Sequence, residues 1–554
     1  MSQFTPKIIT IFKKGYGLPD LKADMVAGLT VAIVALPLAM ALAIASGASP
    51  DKGLLTAVVA GFLISLLGGS RVQIGGPTGA FVVVVFNVIA HHGYDGLILA
   101  TLMAGMILVV AGYARMGQVI KFIPHPVVTG FTAGIAVIIA TSQVKDFLGL
   151  RLDEVPAEVI PKWMAYFSNL DTVNYAALSI GAGSLMLIVI LRRFAPRLPG
   201  FLFAVVVFSV LTQVLHIPVE TVGSRFPDIS SGFPMPALPE ISFAKVQEVL
   251  PSAFTIAFLA GIEALLSAMV ADGMAGYKHR SNQELVGQGV ANIASAFFGG
   301  LPATGAIART ATNIKAGGKT PVAGIFHAGF LLIFILFGMD AVQFVPMATL
   351  AAILFLVSWG MSEIKHFIHI FRLSASDRAV LLLTFFLTVL VDLTVAIGVG
   401  VTLTSLLFMK QMSSSVSMSF DKAVRSGNEE EFEDQRGDLP PGVEVFLISG
   451  PIFFGVAGDL LDMLNRMGQI PRVLVIRMRF VPFLDATGVA ALENLMRECH
   501  GKGIAVIFSA VQPQPMTMLS KAEFGPAKSA IRYADSYSAA IKMAEEDIRQ
   551  ENAG

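Results

Sequence analysis

One cysteine, Cys499, and two tryptophans stand in 554 residues. A lone thiol excludes an intrachain disulfide and fits a reducing compartment. Charge is scarce as well: Asp, Glu, Lys and Arg make up 14% of the chain, where an ordinary soluble protein carries about 25%. Acidic and basic residues balance at 39 each, so nothing marks a nucleic-acid binder. The chain has no Walker A loop, no GxSxG element and no metal-ligand spacing, which leaves an ATP-driven pump without machinery and implies no metal or other cofactor. It also lacks a nucleophile–base pair, so an enzyme is not expected. The opening "MSQFTPKIITIFKKGYGLPDLKAD" has neither the apolar core nor the cleavage site of a signal peptide. The first hydrophobic segment is therefore expected to stay in the mature chain.

What is present is oil. The chain is 55% hydrophobic with a mean hydropathy of +0.72, the composition of a polytopic membrane protein. The character changes near Met412. A polar, acidic stretch follows, and then about a hundred residues of soluble type. The expected organisation is a cytoplasmic N-terminal segment (1–22), a transmembrane domain (23–412), a linker (413–441) and a tail domain (442–554). In the tail, "VEVFLIS", "RVLVIRM" and "IAVIFSA" read as buried strands. They alternate with helical stretches, "AGDLLDMLNRM", "TGVAALENLMREC" and "DSYSAAIKMAEEDI", as in a small α/β domain with a mixed sheet.

The membrane part holds about 14 candidate segments, near 26–46, 53–68, 78–90, 96–112, 126–147, 174–191, 200–216, 251–271, 284–298, 304–314, 320–338, 345–360, 377–391 and 393–410. The third and tenth are too short for the ~20 residues that cross a bilayer. Both follow Gly/Pro-rich breaks, "GGSRVQIGGPTGAF" and "FFGGLPATGAIAR". They hold the same rank in two halves of seven, 23–216 and 251–412. Interrupted segments at matching ranks point to an inverted-repeat transporter and its midplane site. Loop charges agree. With the N-terminus inside, the cytoplasmic turns hold Arg115 and Lys121, Arg192, Arg193 and Arg197, Lys278 and Arg280, Lys315 and Lys319, and Lys365 and Arg372. The external turns, such as "HHGYDG", are poor in Lys and Arg, as the positive-inside rule requires. Both termini are thus expected in the cytoplasm, and the protein in an inner (plasma) membrane.

A helix that begins inside the bilayer presents unpaired N–H groups and about half a positive charge. Two such ends facing each other suit an anion. Pro77, Thr78, Gly79 and Ala80 open one half-helix; Thr304, Gly305, Ala306, Ile307 and Ala308 open the other. Small side chains there let a ligand reach the backbone. Arg309 adds a full charge that costs ~2.5–3.5 kcal/mol against lipid even on the lenient scale, so it must face a partner or a wet cavity. Glu263, in the eighth segment, is the candidate proton carrier, because burial disfavours the ionised carboxylate unless a cation compensates. The alternative is a static Glu263–Arg309 ion pair that fixes packing. In the equivalent helix of the first half Pro37 is expected to bend the chain, and Ala35, Leu38 and Leu42 to line the cavity. His327 reads as a satisfied packing histidine.

These residues carry a resemblance. "ALPLAMALAIASG", "GGPTGAF", "GIEALLSAMVADG", "KHRSNQELVGQG", "GGLPATGAIARTATNIKAGGKTP" and the tail together closely resemble the sulfate permease (SulP) family of anion transporters with a C-terminal STAS domain. The resemblance implies a seven-plus-seven inverted repeat of core and gate domains, elevator-like alternating access and homodimers. In the tail, "FLDATGVAAL" resembles the STAS loop whose hydroxyl before glycine is phosphorylated in soluble relatives. Here that position is Thr487, read as a regulatory site but more readily as a helix cap, and a cytoplasmic protein partner of the domain is expected. Sodium–bicarbonate symporters of the family use an acid in the eighth segment and a hydroxyl in the tenth. This chain keeps Glu263, with Ser267 one turn on, but has Ile307 where that hydroxyl would stand. The pattern looks more like the proton-coupled C4-dicarboxylate branch. The expectation is a proton-coupled carrier of a dicarboxylate or sulfate. A sodium-dependent bicarbonate symporter, an anion exchanger and a non-transporting anion sensor stay open.

Overall fold

Helix after helix, the order of elements follows the hydropathy profile. The computed structural model describes residues 4–118, 124–152, 155, 156, 158–195, 198–227, 232–391, 393–420, 439–456, 458, 460, 470–522 and 532–553. Lys121, Arg197 and the expected helix "AGDLLDMLNRM" lie outside these residues or largely so, as does most of the linker. The chain divides into two compact units, Met1–Thr402 and Leu403–Gly554.

The first unit begins with α1 (Lys7–Lys14), α2 (Leu18–Ala45) and α3 (Pro50–Leu67), followed by the two-residue strand β1 (Gly75–Gly76) and α4 (Val82–Tyr113), which a 3-10 turn at Gly79–Phe81 introduces. Then come α5 (His125–Leu148), α6 (Val159–Ser168), α7 (Tyr175–Phe194), α8 (Gly200–Val214) and the single turn α9 (Val222–Arg225). The second half repeats the plan: α10 (Phe243–Ala275), α11 (Ser281–Phe297), β2 (Thr304–Gly305), α12 (Ile307–Lys315) and α13 (Val322–Phe337). It closes with α14 (Met339–Val342), α15 (Met347–Met361), α16 (Ile364–Phe371), α17 (Ala375–Leu390) and the first half of α18 (Leu393–Ser414), within which the division at Thr402 falls. The expected third and fourth segments run on through α4, which is broken at Gly93, where φ is 70° and ψ −179°. That conformation favours glycine, so "HHGYDG" still makes a corner.

Packing sorts these helices into two bundles. In one, α11 and α10 lie against α4, α13 against α2 and α3, and α12 against α10 and α2. In the other, α15 and α17 lie against α5, and α7 against α8 and α15. Small residues permit the close approaches. A Cβ on Gly105 of α4 would stand 2.7 Å from the Gly289 carbonyl oxygen of α11, which is how helices pack without a hydrophobic drive between them.

The second unit is a five-stranded sheet in sequence order. β3 (Ser417–Phe420) pairs antiparallel with β4 (Val443–Ser449); β5 (Val473–Phe480), β6 (Ala505–Ser509) and β7 (Arg532–Ala534) follow in parallel. Alternation at period two gives each face its own core. Phe446, Ile448, Leu474 and Ile476 meet Leu492 and Leu495 of α19 (Ala486–Gly501). Val445, Val475 and Ile507 meet Ala540 and Ala544 of the last helix, Tyr537–Ala553, beyond the short α20 (Pro513–Lys521).

Candidate functional site

The two chain breaks cross. β1 and β2 pair antiparallel, Gly75 opposite Gly305 and Gly76 opposite Thr304. Glycine is needed there: a Cβ on Gly305 would collide with the Gln73 amide, and one on Gly76, whose φ is 151°, with Arg309 Nη1. Side chains tie the crossing down. Ala306 N–H donates to the Ile74 carbonyl (2.8 Å), Thr304 Oγ1 to the Ala260 carbonyl (2.8 Å) and Gln73 Nε2 to the Ala264 carbonyl (3.0 Å). Asn292 of α11 both donates to the Ala303 carbonyl and accepts from its N–H, each at 2.8 Å. Asn313 Nδ2 donates to the Val72 carbonyl at 2.8 Å. Each strand then turns into a helix whose leading N–H groups lie outside the helical ladder.

The sequence-predicted residues divide in three. Thr78, Gly79 and Ala80 are buried at the first helix end, Gly305 and Ala306 at the second, while Ile307 and Ala308 are exposed. Gly79 sits where the bundles touch, its Cβ position 2.6 Å from Met361 Sδ and 3.2 Å from Ile139 Cδ1. Ala35, Leu38 and Leu42 of α2 are buried in one apolar cluster with Ala80 and Ile139. Pro37 lies inside α2.

Glu263 and Arg309 do not form the ion pair entertained from the sequence. Thr78 Oγ1 donates to Glu263 Oε2 at 2.7 Å, and Arg309 Nη2 donates to the Pro77 carbonyl at 3.1 Å. Consecutive residues just after β1 thus occupy the two charged groups. Arg309 is 1% exposed, and its Nε and Nη1 have no hydrogen-bond partner. Ser267 pairs with Thr310 (3.3 Å), whose hydroxyl also accepts from Ile74 N–H (3.1 Å).

Two further expectations are corrected. His327 is fully buried, but neither ring nitrogen is hydrogen-bonded, so it is not a satisfied packing residue. Thr487 does not cap its helix. Asp485 does, accepting from Gly488 N–H at 2.7 Å, and Thr487 is exposed one residue into the helix. The reason is register: the acid two residues earlier has the extended backbone of a cap. Gln73, Asn292, Thr310 and Asn313 were missed as site-builders. Their only signal was polarity in an oily context. No group of three or more metal-ligating side chains is found among the described residues.

Two crossed half-helices inside paired helical bundles, with an arginine at one end and a carboxyl at the other, define a helical anion transporter. The comparisons specify it. Residues 21–384 match the sulfate permease family model and residues 438–529 the STAS domain model. The chain belongs to the sulfate permease family. It is 40% identical over 511 residues to the putative sulfate transporter YvdB of Bacillus subtilis, covering 92% of this chain and 95% of that protein. It is 32% identical over 524 residues to the bicarbonate transporter BicA of Picosynechococcus, covering 91% of each. The solved transmembrane domain of a cyanobacterial BicA matches 69% of this chain and 98% of its own at 32% identity, with a TM-score of 0.63. Murine Slc26a9 in its inward-facing state covers 98% of this chain and 94% of its own at TM-score 0.86, and with 19% identity it shows the fold. These relatives are named for sulfate, bicarbonate and anions, and the dicarboxylate expectation gains no support from them.

Proposed function

We propose that the protein is a secondary active carrier of a small oxyanion, sulfate or bicarbonate, coupled to protons and working by elevator-type alternating access. The anion sits between the helix ends at Thr78–Ala80 and Gly305–Ala308. Arg309 supplies positive potential, and Glu263 takes the co-transported proton. The observation that carries this is the placement of Arg309: a permanent cation, 1% exposed, with two nitrogens unpartnered beside two helix N-termini. A cation beside that point also argues against a bound sodium ion. Thr78 links the two functions. Its hydroxyl donates to Glu263, and a proton on that oxygen makes it a weaker acceptor, so proton binding loosens a donor at the helix end where the anion docks.

In this proposal the carrier is a homodimer in the plasma membrane, with both termini cytoplasmic, a transporter domain over 23–412 and a tail that meets a cytoplasmic protein; the expected linker, 413–441, gives β3 to the tail's sheet. Charge sets the coupling. Bicarbonate with one proton moves no net charge, whereas sulfate with one proton moves −1, opposed by ~2.3 kcal/mol per 100 mV negative inside.

The test is uptake of labelled sulfate, bicarbonate and fumarate into proteoliposomes, in sodium-free buffer, with and without an inward proton gradient. Stimulation of one inorganic anion is expected. Glu263→Gln should keep anion exchange and lose the response to the gradient. Uptake that requires sodium would sink proton coupling.

A further inference from the structure

Behind the crossing, three buried side chains carry polar atoms that no protein group satisfies: Nε and Nη1 of Arg309, both ring nitrogens of His327, and Oγ of Ser65. Their exposures are 1%, 0% and 4%. They share one wall. Ala57, Gly61 and Ser65 recur every four residues and so lie on one face of α3. The Cβ position of Gly76, which Arg309 Nη1 occupies, is 3.5 Å from Ala57 Cα. One turn on, the Cβ position of Gly61 is 3.8 Å from His327 Cε1 and 3.0 Å from the Gly75 carbonyl oxygen. A further turn on, Ser65 Oγ occupies the Cβ position of Gly324, which lies one turn before His327 on α13. Guanidinium, imidazole and hydroxyl follow each other at successive turns of one helix.

An unmade hydrogen bond on a buried polar group costs ~1–3 kcal/mol. A row of such atoms is tolerated where ordered water, making about three bonds each, bridges them. Imidazole suits the middle place. In its neutral form one nitrogen accepts and the other donates, so it can take a bond relayed from the guanidinium and pass one to the hydroxyl. Glycines 76 and 324 make room for Arg309 Nη1 and Ser65 Oγ themselves, and Gly61 lets the His327 ring edge approach α3. Arg309 is held in front by the Pro77 carbonyl alone, and a guanidinium has five donors to place.

We propose that His327 is a positioning residue for Arg309. Through a water-linked row along α3 it fixes the guanidinium from behind, so that the charge stays at the paired helix ends. The consequence for transport rests on the assignment of Arg309 to the anion site; the link between the two side chains does not.

The experiment uses the full chain, with sulfate and bicarbonate as probes. His327→Phe fills the ring's volume without its nitrogens, and His327→Gln keeps a donor and an acceptor. His327→Phe should raise the uptake KM roughly tenfold, the worth of one hydrogen bond to a charged group, with maximal rate less affected, and His327→Gln should restore much of it. Thermal midpoints of His327→Phe, Arg309→Gln and the double variant should be non-additive, the double losing less than the sum. Additive midpoints, or a His327→Gln as impaired as His327→Phe, would overturn the link. Non-additive midpoints with KM unmoved by either change would keep the link and overturn the place of Arg309 in the anion site.

Discussion

At the scale of single residues, the site is built from groups far apart in the chain. Thr78 and Glu263 are hydrogen-bonded across 185 positions, and Pro77 and Arg309 across 232. Sequence reasoning found Arg309 and Glu263 because a charge in an oily segment is conspicuous. An ion pair between the two stayed open as the alternative, because nothing local shows that the residues after β1 supply nearer partners to both. Gly76 gives the sharpest test. Its φ of 151° and the collision of a Cβ with Arg309 Nη1 make Gly76→Ala a strained substitution that must also push the guanidinium aside. Anion uptake in proteoliposomes should fall at least ~10-fold, the loss of one charged contact. Gly317→Ala, whose added methyl meets open space although its φ is also positive, should leave uptake far less changed. Equal activity of the two variants would show that Arg309 need not stay where it is.

At the scale of elements, a crossing of two-residue strands has little stability of its own, since four residues cannot repay the cost of ordering. It is held by α11. Asn292 supplies both bonds to Ala303. Eight residues earlier, Glu284 accepts from Gly69 N–H at 2.7 Å, Ser70 N–H at 2.9 Å and Gln288 Nε2 at 2.8 Å, fixing the loop that leads into β1. One face of α11 thus holds the approaches to both strands. Asn292→Ala would leave a buried N–H and a buried carbonyl of Ala303 unpaired, at ~1–3 kcal/mol each. The purified variant should show a lowered thermal midpoint and impaired uptake together; an unchanged midpoint would mean that α11 does not hold β2. The polarity of "SNQELVGQGVAN" was visible in the sequence, most of it inside the candidate segment 284–298. Its role was hidden because the partners lie on other elements.

At the scale of the molecule, two units carry separate cores, and Cys499 belongs to the second. Burial, with the Glu498 charge beside it, pushes its thiol up to about 11. A thiol whose pKa is raised by folding favours the protonated form. That contribution to stability is complete below the free-thiol pKa and is lost as pH rises toward 11. Cys499 should therefore resist a thiol reagent at pH 8 in the folded protein and react when the second unit unfolds. Denaturant titration read by labelling and by transport then reports the two units separately. Fast labelling of native protein at pH 8 would contradict the burial.

Membrane class, the positions of the helices and the two interrupted half-helices were determined by the sequence by itself, because hydropathy, proline and glycine act within a few residues of where they stand. The α/β character of the tail was legible for the same reason, its strands alternating at period two. What the two breaks do to each other was decided by the tertiary structure alone. Side-chain hydrogen bonds choose the nearest partner in space, and here Pro77 and Thr78 reach Arg309 and Glu263 before those two reach one another. The same holds for the row behind them, where His327 comes to lie beside α3 and its Ser65 only because α13 packs antiparallel to that helix.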